Sequence, residues 1–165
     1  MDGTPPRFLA DAMLGRLATW LRLLGLDAAY APRLEDLELI RRARAEGRIL
    51  LTRDRALAGR RAARGGRLRL LLVSADRVEE QIREVAAAAG IRAEGLTPLS
   101  RCSVCNEPTR PAGPEEVAGL VPPYVLATQA RFSRCPACNR VFWRATHVAG
   151  ILRRLREALA PGAFR

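Results

Sequence analysis

The sequence predicts an α/β chain, a parallel sheet flanked by helices, followed by a small four-cysteine zinc ribbon and a C-terminal helix. Three observations carry this expectation. Strand-like and helix-like segments alternate from Arg7 to Gly90, an order that implies parallel strands joined by right-handed helical crossovers. Two of the strand candidates, "RILLT" and "LRLLLVS", are apolar without alternation, as strands covered on both faces are. The four cysteines fall in two C-x-x-C pairs beyond that region.

Taken in order, "RFLAD" is a short strand, and "AMLGRLATWLRLLG" has Met13, Leu14, Leu17, Trp20, Leu21 and Leu24 at helical spacing before Gly25 ends it. "DAAYAP" is a weak strand, and "EDLELIRRARAEG" is a helix closed by Gly47. "RILLT" is the strongest strand, followed by a short helix, "RALAGRRAARGG". "LRLLLVS" is the fourth strand, and "RVEEQIREVAAAAG" is a helix ended by Gly90.

At 165 residues and 48% hydrophobic, the chain can bury one good core, or one core plus a satellite module. No apolar stretch approaches the roughly 18–20 residues of a membrane span, and the N-terminus lacks the basic region and apolar core of a signal peptide, so a cytoplasmic location without membrane association is expected. The net charge of +11 comes entirely from arginine, with 28 Arg against 17 acids and no lysine. A genome that favours arginine explains the choice of Arg over Lys but not the excess of positive charge, which suits a polyanion. Eleven arginines lie between Arg41 and Arg69 against Glu46 and Asp54 alone. With only 5% aromatic residues, backbone-directed binding is expected rather than a base-stacking platform.

Asp11, Asp54 and Asp76 each stand where a predicted strand passes to a helix. In a parallel sheet those ends share one edge, the edge at which α/β folds bind ligands. Asp36, at the start of the second helix, joins them if that helix begins at the same edge, and the adjacent Glu35 is the alternative. Aspartate also caps helices, and Glu79 three residues after Asp76 offers a capping box. Ser, Thr and Asn cap without mutual repulsion, however, and converging carboxylates raise one another's pKa unless a cation compensates. Oxygen donors suit Mg²⁺ or Mn²⁺. Other α/β chemistries lack their letters: there is no lysine for a P-loop or a receiver domain, "ADAMLG" stands where a dinucleotide fold needs G-x-G-x-x-G, and "DAM" is not the D-x-D of an aspartate phosphatase.

The segments "FLADAMLGRLATWLRLLG", "ED" opening a helix, "GRILLTRDRAL" and "VSADRVEEQ" together resemble the PIN-domain-like nucleases. Among these they are most similar to the Mut-seven C-terminal RNase domain subfamily, in which such a domain is fused to a zinc ribbon. The resemblance covers most of the chain. It implies metal-dependent cleavage of RNA by four acids, carried here by Asp11, Asp36, Asp54 and Asp76.

The second module is marked by "CSVCN" and "CPACN", which place Cys102, Cys105, Cys135 and Cys138 for tetrahedral zinc, with Asn106 and Asn139 where a knuckle needs a left-handed residue. Disulfides do not suit the cytosol, and a redox C-x-x-C needs no second copy. The 29 residues between the knuckles, which contain "VPPY", predict a ribbon with an inserted loop. A closed site of four thiolates leaves no open position, so this zinc is structural. "ATHVAGILRRLREALA" reads as an amphipathic helix, with Val148, Ile151, Leu152, Leu155 and Leu159 on one face and Arg153, Arg154 and Arg156 outside it. His147 reads as a capping or packing residue.

The expected domains are a PIN-like nuclease at 1–99 and a zinc ribbon plus C-terminal helix at 100–165. The expected function is a Mg²⁺- or Mn²⁺-dependent ribonuclease acting on single-stranded or structured RNA, in which Arg16, Arg53 and Arg55 attract the substrate. A surface ion pair is the plain alternative for these arginines. The competing function is a non-catalytic RNA- or ribosome-binding module that uses the arginines and the ribbon.

Overall fold

β3 (Ile49–Thr52) is buried along its whole length, so both of its faces must be covered, and the architecture follows from that demand. The structure, a computed structural model, describes residues 5–60, 68–143, 149, 150, 153 and 157. β1 (Arg7–Ala10), β2 (Asp27–Tyr30), β3 and β4 (Leu70–Leu72) form a parallel sheet in the order β2-β1-β3-β4. The helices that follow these strands are α1 (Gly15–Leu23), α2 (Asp36–Ala45), α3 (Arg55–Gly59) and α4 (Val78–Ala89).

Strand order assigns the faces. The β1-to-β2 connection moves one way along the sheet and the β2-to-β3 connection moves back past β1, so right-handed crossovers put α1 and α2 on opposite faces. Alternation within the strands serves the two layers. Phe8, Ala10, Ile49 and Leu51 pack with Leu17, Leu21, Val78, Ile82 and Val85 of α1 and α4. Leu9 and Leu50 pack with Leu39, Ile40 and Leu57 of α2 and α3. Leu50 is fully buried, so its truncation to alanine costs about 2–5 kcal/mol.

Local chemistry sets the element ends. Gly47 and Gly90 take positive φ where the helices end, as expected. The first helix is shorter than the pattern implies, because Asp11 bonds the Met13 amide and starts a 3-10 turn, Ala12–Leu14, before α1. α3 ends at Gly59 among the described residues, within the longer helix expected there. Two glycines sit at close approaches, but only Gly25 faces backbone at a positive φ, whereas at Gly15 the neighbour is the movable end of the Tyr30 side chain. A Cβ at Gly15 would meet the Tyr30 ring at 2.8 Å, and one at Gly25, where φ is +89°, would meet the Thr97 carbonyl at 2.3 Å.

The second module is a three-stranded antiparallel sheet, β5 (Arg110–Ala112), β6 (Phe132–Arg134) and β7 (Val141–Trp143), in the order β5-β6-β7. The insertion between β5 and β6 contains α5 (Pro114–Val117) and α6 (Pro123–Thr128), each opened by a proline. Val117, Val121, Val125 and Phe132 form its small core. His147 and Val148, Ile151, Leu152, Arg154, Leu155, Arg156 and Leu159 of the expected C-terminal helix lie outside the described residues. Within that segment Arg153 pairs with Glu157 at 3.8 Å.

A buried polar seam joins the first knuckle to the parallel sheet. Arg22 of α1 is 6% exposed and donates to Ala28 O at 2.7 Å, Ser103 O at 3.1 Å and Val104 O at 2.7 Å. The Asn106 side chain accepts the Ala28 N–H at 3.0 Å on the open edge of β2, and donates to Asp27 at 2.8 Å. Asp27 also accepts from Arg48 at 2.5 Å and lies 3.3 Å from Arg7 and 3.6 Å from Arg101. Arg48 is buried in turn and donates to Phe8 O and Glu46.

An acceptor left buried without its donor costs about 1–3 kcal/mol. Arg22→Met, which keeps much of the apolar stem, therefore lowers the unfolding free energy by at least about 2 kcal/mol, as measured by urea denaturation of the whole chain.

Burial works against ionisation of Asp27, but hydrogen bonds from Arg48 and Asn106, with the charges of Arg48 and Arg101, outweigh it and hold the carboxyl below its usual range. A carboxyl depressed by folding binds protons more readily in the unfolded chain. Its contribution is therefore complete above the unfolded pKa of about 3.9 and is lost as pH falls through the lower folded value. The stability gap between wild type and Asp27→Asn should be widest at neutral pH and close progressively below about pH 4. Thermal melts of both proteins across that range check it.

Candidate active site

The strand order reverses between β1 and β3, and the carboxyl ends at such a switch point form the crevice in which open α/β sheets bind ligands. Asp11 and Asp54 follow those two strands. The Asp11 N–H donates to Leu51 O at 3.1 Å, which continues the ladder beyond β1 and holds the residue inside the protein. At 5% exposure, Asp11 accepts the Met13 N–H at 2.9 Å on Oδ1 and the Thr52 hydroxyl at 2.5 Å on Oδ2. It has no arginine partner among the described residues.

Thr52 joins the two acids. Its fully buried hydroxyl donates to Asp11 and accepts the Asp54 N–H at 2.9 Å. Asp54 caps α3, with Oδ1 accepting from Ala56 N at 2.7 Å and Leu57 N at 3.2 Å, while Oδ2 has no hydrogen bond among the described residues. Thr52 did not emerge from the sequence reading as a site residue. The available signal was a hydroxyl at the end of an otherwise apolar strand, one residue short of the Arg-Asp pair.

The other two acids are held differently. The Asp76 side chain is 89% exposed and bonds Arg53 at 2.6 Å. The capping box with Glu79, the alternative for Asp76, does not form, because α4 begins at Val78 with Arg77 at the N-cap and no side-chain cap. Asp36 opens α2 and pairs with Arg60 at 2.7 Å, and Glu35 takes the N-cap position, its N–H donating to Glu38 at 3.3 Å. Among the described residues, no three carboxylates bring oxygens within 4.8 Å of one another. Of the three arginines expected at the substrate, Arg53 is thus in an ion pair, whereas Arg16 and Arg55 are exposed without one among the described residues.

The donors fit a hard cation. Mg²⁺ retains several waters and is usually taken by one or two carboxylates together with substrate phosphate, so Asp11 and Asp54 are the residues of this edge that could hold one. A buried carboxylate without a positive partner is also the arrangement that a cation relieves.

The four cysteines meet as expected. Their sulfurs all lie within 4.8 Å of one another: Cys102 to Cys138 is 3.6 Å, Cys105 to Cys135 is 3.4 Å and Cys105 to Cys138 is 3.8 Å. Disulfide sulfurs would be about 2.05 Å apart, whereas tetrahedral thiolates at zinc, with bonds of about 2.3 Å, stand near 3.8 Å apart. The cysteines are free, and the cluster can hold a zinc ion. Both knuckles have the same backbone: Asn106 N–H donates to Cys102 O and Asn139 N–H to Cys135 O, each at 3.0 Å, with φ of 71° and 58° at the two asparagines. Burial lowers the Arg22 pKa, and the charges of Cys102, Cys105 and Asp27 oppose that shift. Arg22 is therefore a cationic neighbour suited to a negative centre of four thiolates.

The model of the Mut7-C RNAse domain family matches residues 6–155. The chain belongs to that family. Membership gives it a nuclease-type role with RNA as substrate or partner. Comparison with curated proteins and with solved structures gave no match. Among the described residues, no helix is long and apolar enough to cross a membrane.

Elemental analysis of the purified chain should find one zinc per molecule, and Cys135→Ser should abolish it and unfold the second module, whose core is too small to stand without metal. Because Asn106 belongs to the knuckle and bonds the Ala28 amide, zinc removal should also strip hydrogen-exchange protection from Ala28, in the other sheet.

Proposed function

We propose that this member of the Mut7-C RNAse domain family is a metal-dependent ribonuclease, with Mg²⁺ or Mn²⁺ held first by Asp11 and Asp54 and with Asp36 and Asp76 as further acids of the same edge. The observation that supports it most directly is Asp11, a buried carboxylate at the switch point with only an amide and a hydroxyl for partners among the described residues. When bound, the metal supplies an activated water and charge stabilisation at the phosphate. The chain's own residues do the rest. Thr52 fixes the Asp11 carboxylate and the Asp54 backbone, so both acids are oriented before substrate arrives. The cap uses one Asp54 oxygen, and the other has no hydrogen bond among the described residues. Asp36 and Asp76 join when incoming phosphate competes for Arg60 and Arg53, since exposed ion pairs contribute about 1 kcal/mol or less. Arg16 and Arg55 add positive charge on either side of the edge.

In this reading residues 1–99 carry the chemistry, and residues 100–165, the ribbon and C-terminal segment, support it in a cytoplasmic protein. The ion pairs at Asp36 and Asp76 favour the second reading, an RNA-binding module whose acids hold no metal.

Labelled single-stranded RNA incubated with purified protein separates the two. Cleavage should require Mg²⁺ or Mn²⁺, stop with chelator, and fall by several orders of magnitude in Asp54→Asn while RNA binding persists, since Asn caps α3 about as well as Asp. Removing like charge should also raise the melting temperature of the metal-free mutant. The stabilisation that metal gives wild type, about 2.7 kcal/mol at one hundred times its dissociation constant, should shrink in the mutant. Equal metal-induced shifts in the two proteins, or no metal-dependent cleavage of any RNA, would leave the binding module.

A further inference from the structure

We infer that Glu84, together with Gln81, is a positioning residue for Asp76: from the middle of α4 it grips the backbone of the loop that follows β4 and fixes where the Asp76 carboxylate stands at the carboxyl edge. This inference rests on the ribonuclease reading above, in which Asp76 is one of the acids. The Glu84 carboxylate takes three donors of that loop. Its Oε2 accepts the Ser74 N–H at 3.0 Å, and its Oε1 accepts the Ser74 hydroxyl at 2.5 Å and the Ala75 N–H at 3.2 Å. Gln81, 7% exposed and one helical turn earlier, donates its amide to Ala75 O at 2.9 Å.

The loop is held from the other side as well. Val73 is buried, and its N–H donates to Thr52 O at 2.8 Å, which extends the ladder between β3 and β4. Thr52 thus ties this loop through its carbonyl, while its hydroxyl joins Asp11 to Asp54. The amides of Val73, Ser74 and Ala75 and the carbonyl of Ala75 are therefore all taken before the chain reaches Asp76.

Contacts of the Asp76 side chain do not account for its place. That side chain is 89% exposed, and its pair with Arg53 is open to water, where ion pairs are weak. With no enclosing side chains, the backbone sets where the carboxylate stands, and the backbone is set by Glu84 and Gln81. Groups that orient a metal ligand in this way typically change metal affinity or activity by about 10–100-fold. A carboxylate suits the task because it offers acceptors only. A glutamine at position 84 keeps one acceptor oxygen, so whichever way its amide turns, either the Ser74 or the Ala75 N–H meets an NH₂ group.

The test uses the full chain as Glu84→Gln, Asp76→Asn and the double variant, with Mn²⁺ affinity measured by calorimetry on the RNA-free proteins. In metal-free Glu84→Gln the Ser74 and Ala75 amides should exchange with deuterium faster than in wild type. Glu84→Gln should weaken Mn²⁺ binding on the order of tenfold when Asp76 is present and add nothing once Asp76 is replaced, because it acts through that carboxylate. Ser74→Ala, which removes only the hydroxyl bond, should give a smaller loss with the same dependence on Asp76. Unchanged Mn²⁺ affinity in Glu84→Gln would overturn the inference, as would equal losses with and without Asp76, which indicate a general effect on folding. RNA cleavage is scored separately. Metal-dependent cleavage without coupling between positions 84 and 76 rejects the positioning role alone, coupling without cleavage rejects the nuclease alone, and a wild type that binds no Mn²⁺ rejects both.

Discussion

A carboxyl group inside a protein needs hydrogen-bond partners, and the carboxyl edge of this sheet is arranged around that need at Asp11. The residue is buried because its own amide extends the ladder to β3, which leaves its side chain among backbone and Thr52. Amide and hydroxyl donors orient it, but neither carries the positive charge that usually accompanies a buried acid. The same threonine hydroxyl takes the Asp54 amide, so the ends of β1 and β3 are set relative to each other by one side chain. That arrangement exists only because the two strands are parallel neighbours, and they are neighbours because β3 needs cover on both faces.

The zinc module is part of the same structure and not an appendage on a linker. Its first knuckle delivers two carbonyls to Arg22 and an amide side chain to the exposed edge of β2. An open strand edge invites pairing with another chain, and here Asn106 and Arg22 take the free N–H and carbonyl of Ala28. The close approach at Gly25 and Thr97 brings the connecting segment down onto α1 just before the knuckle begins. Named hydrogen bonds therefore connect the cysteine cluster to the parallel sheet. The contrast with Arg53 and Asp76 is instructive: that pair is short but open to water, where charge attraction is weak, whereas the Arg22 donors are enclosed and expensive to leave unmet.

Arginine does two unlike jobs here. Arg22 and Arg48 are buried and bond backbone carbonyls, so they hold the structure together. Arg16, Arg55 and Arg77 are exposed without ion pairs among the described residues. A count of charges cannot separate these roles, and the basic belt from Arg41 to Arg69 contains both kinds. The eleven arginines of that segment thus overstate what is available to a polyanion, since Arg42, Arg48, Arg53 and Arg60 are already paired with acids.

Much of this was legible in the letters. The unbroken apolar run Ile49–Leu51 demanded cover on both faces, the glycines at 47 and 90 marked helix ends, and the two C-x-x-C-Asn pairs announced a four-sulfur cluster with left-handed asparagines. These features are local, because each depends on the period or spacing of residues close in the chain. The acids at the strand ends were legible as residues of one edge, but not as partners. Only the tertiary structure joins Asp11 to Asp54 through Thr52 and puts Asp36 and Asp76 against Arg60 and Arg53. It alone turns Arg22 and Asn106 into the seam between modules. Apart from the local bond between Thr52 and Asp54, those contacts link residues far apart in sequence, and their pairing depends on strand order and helix placement, which no local pattern encodes.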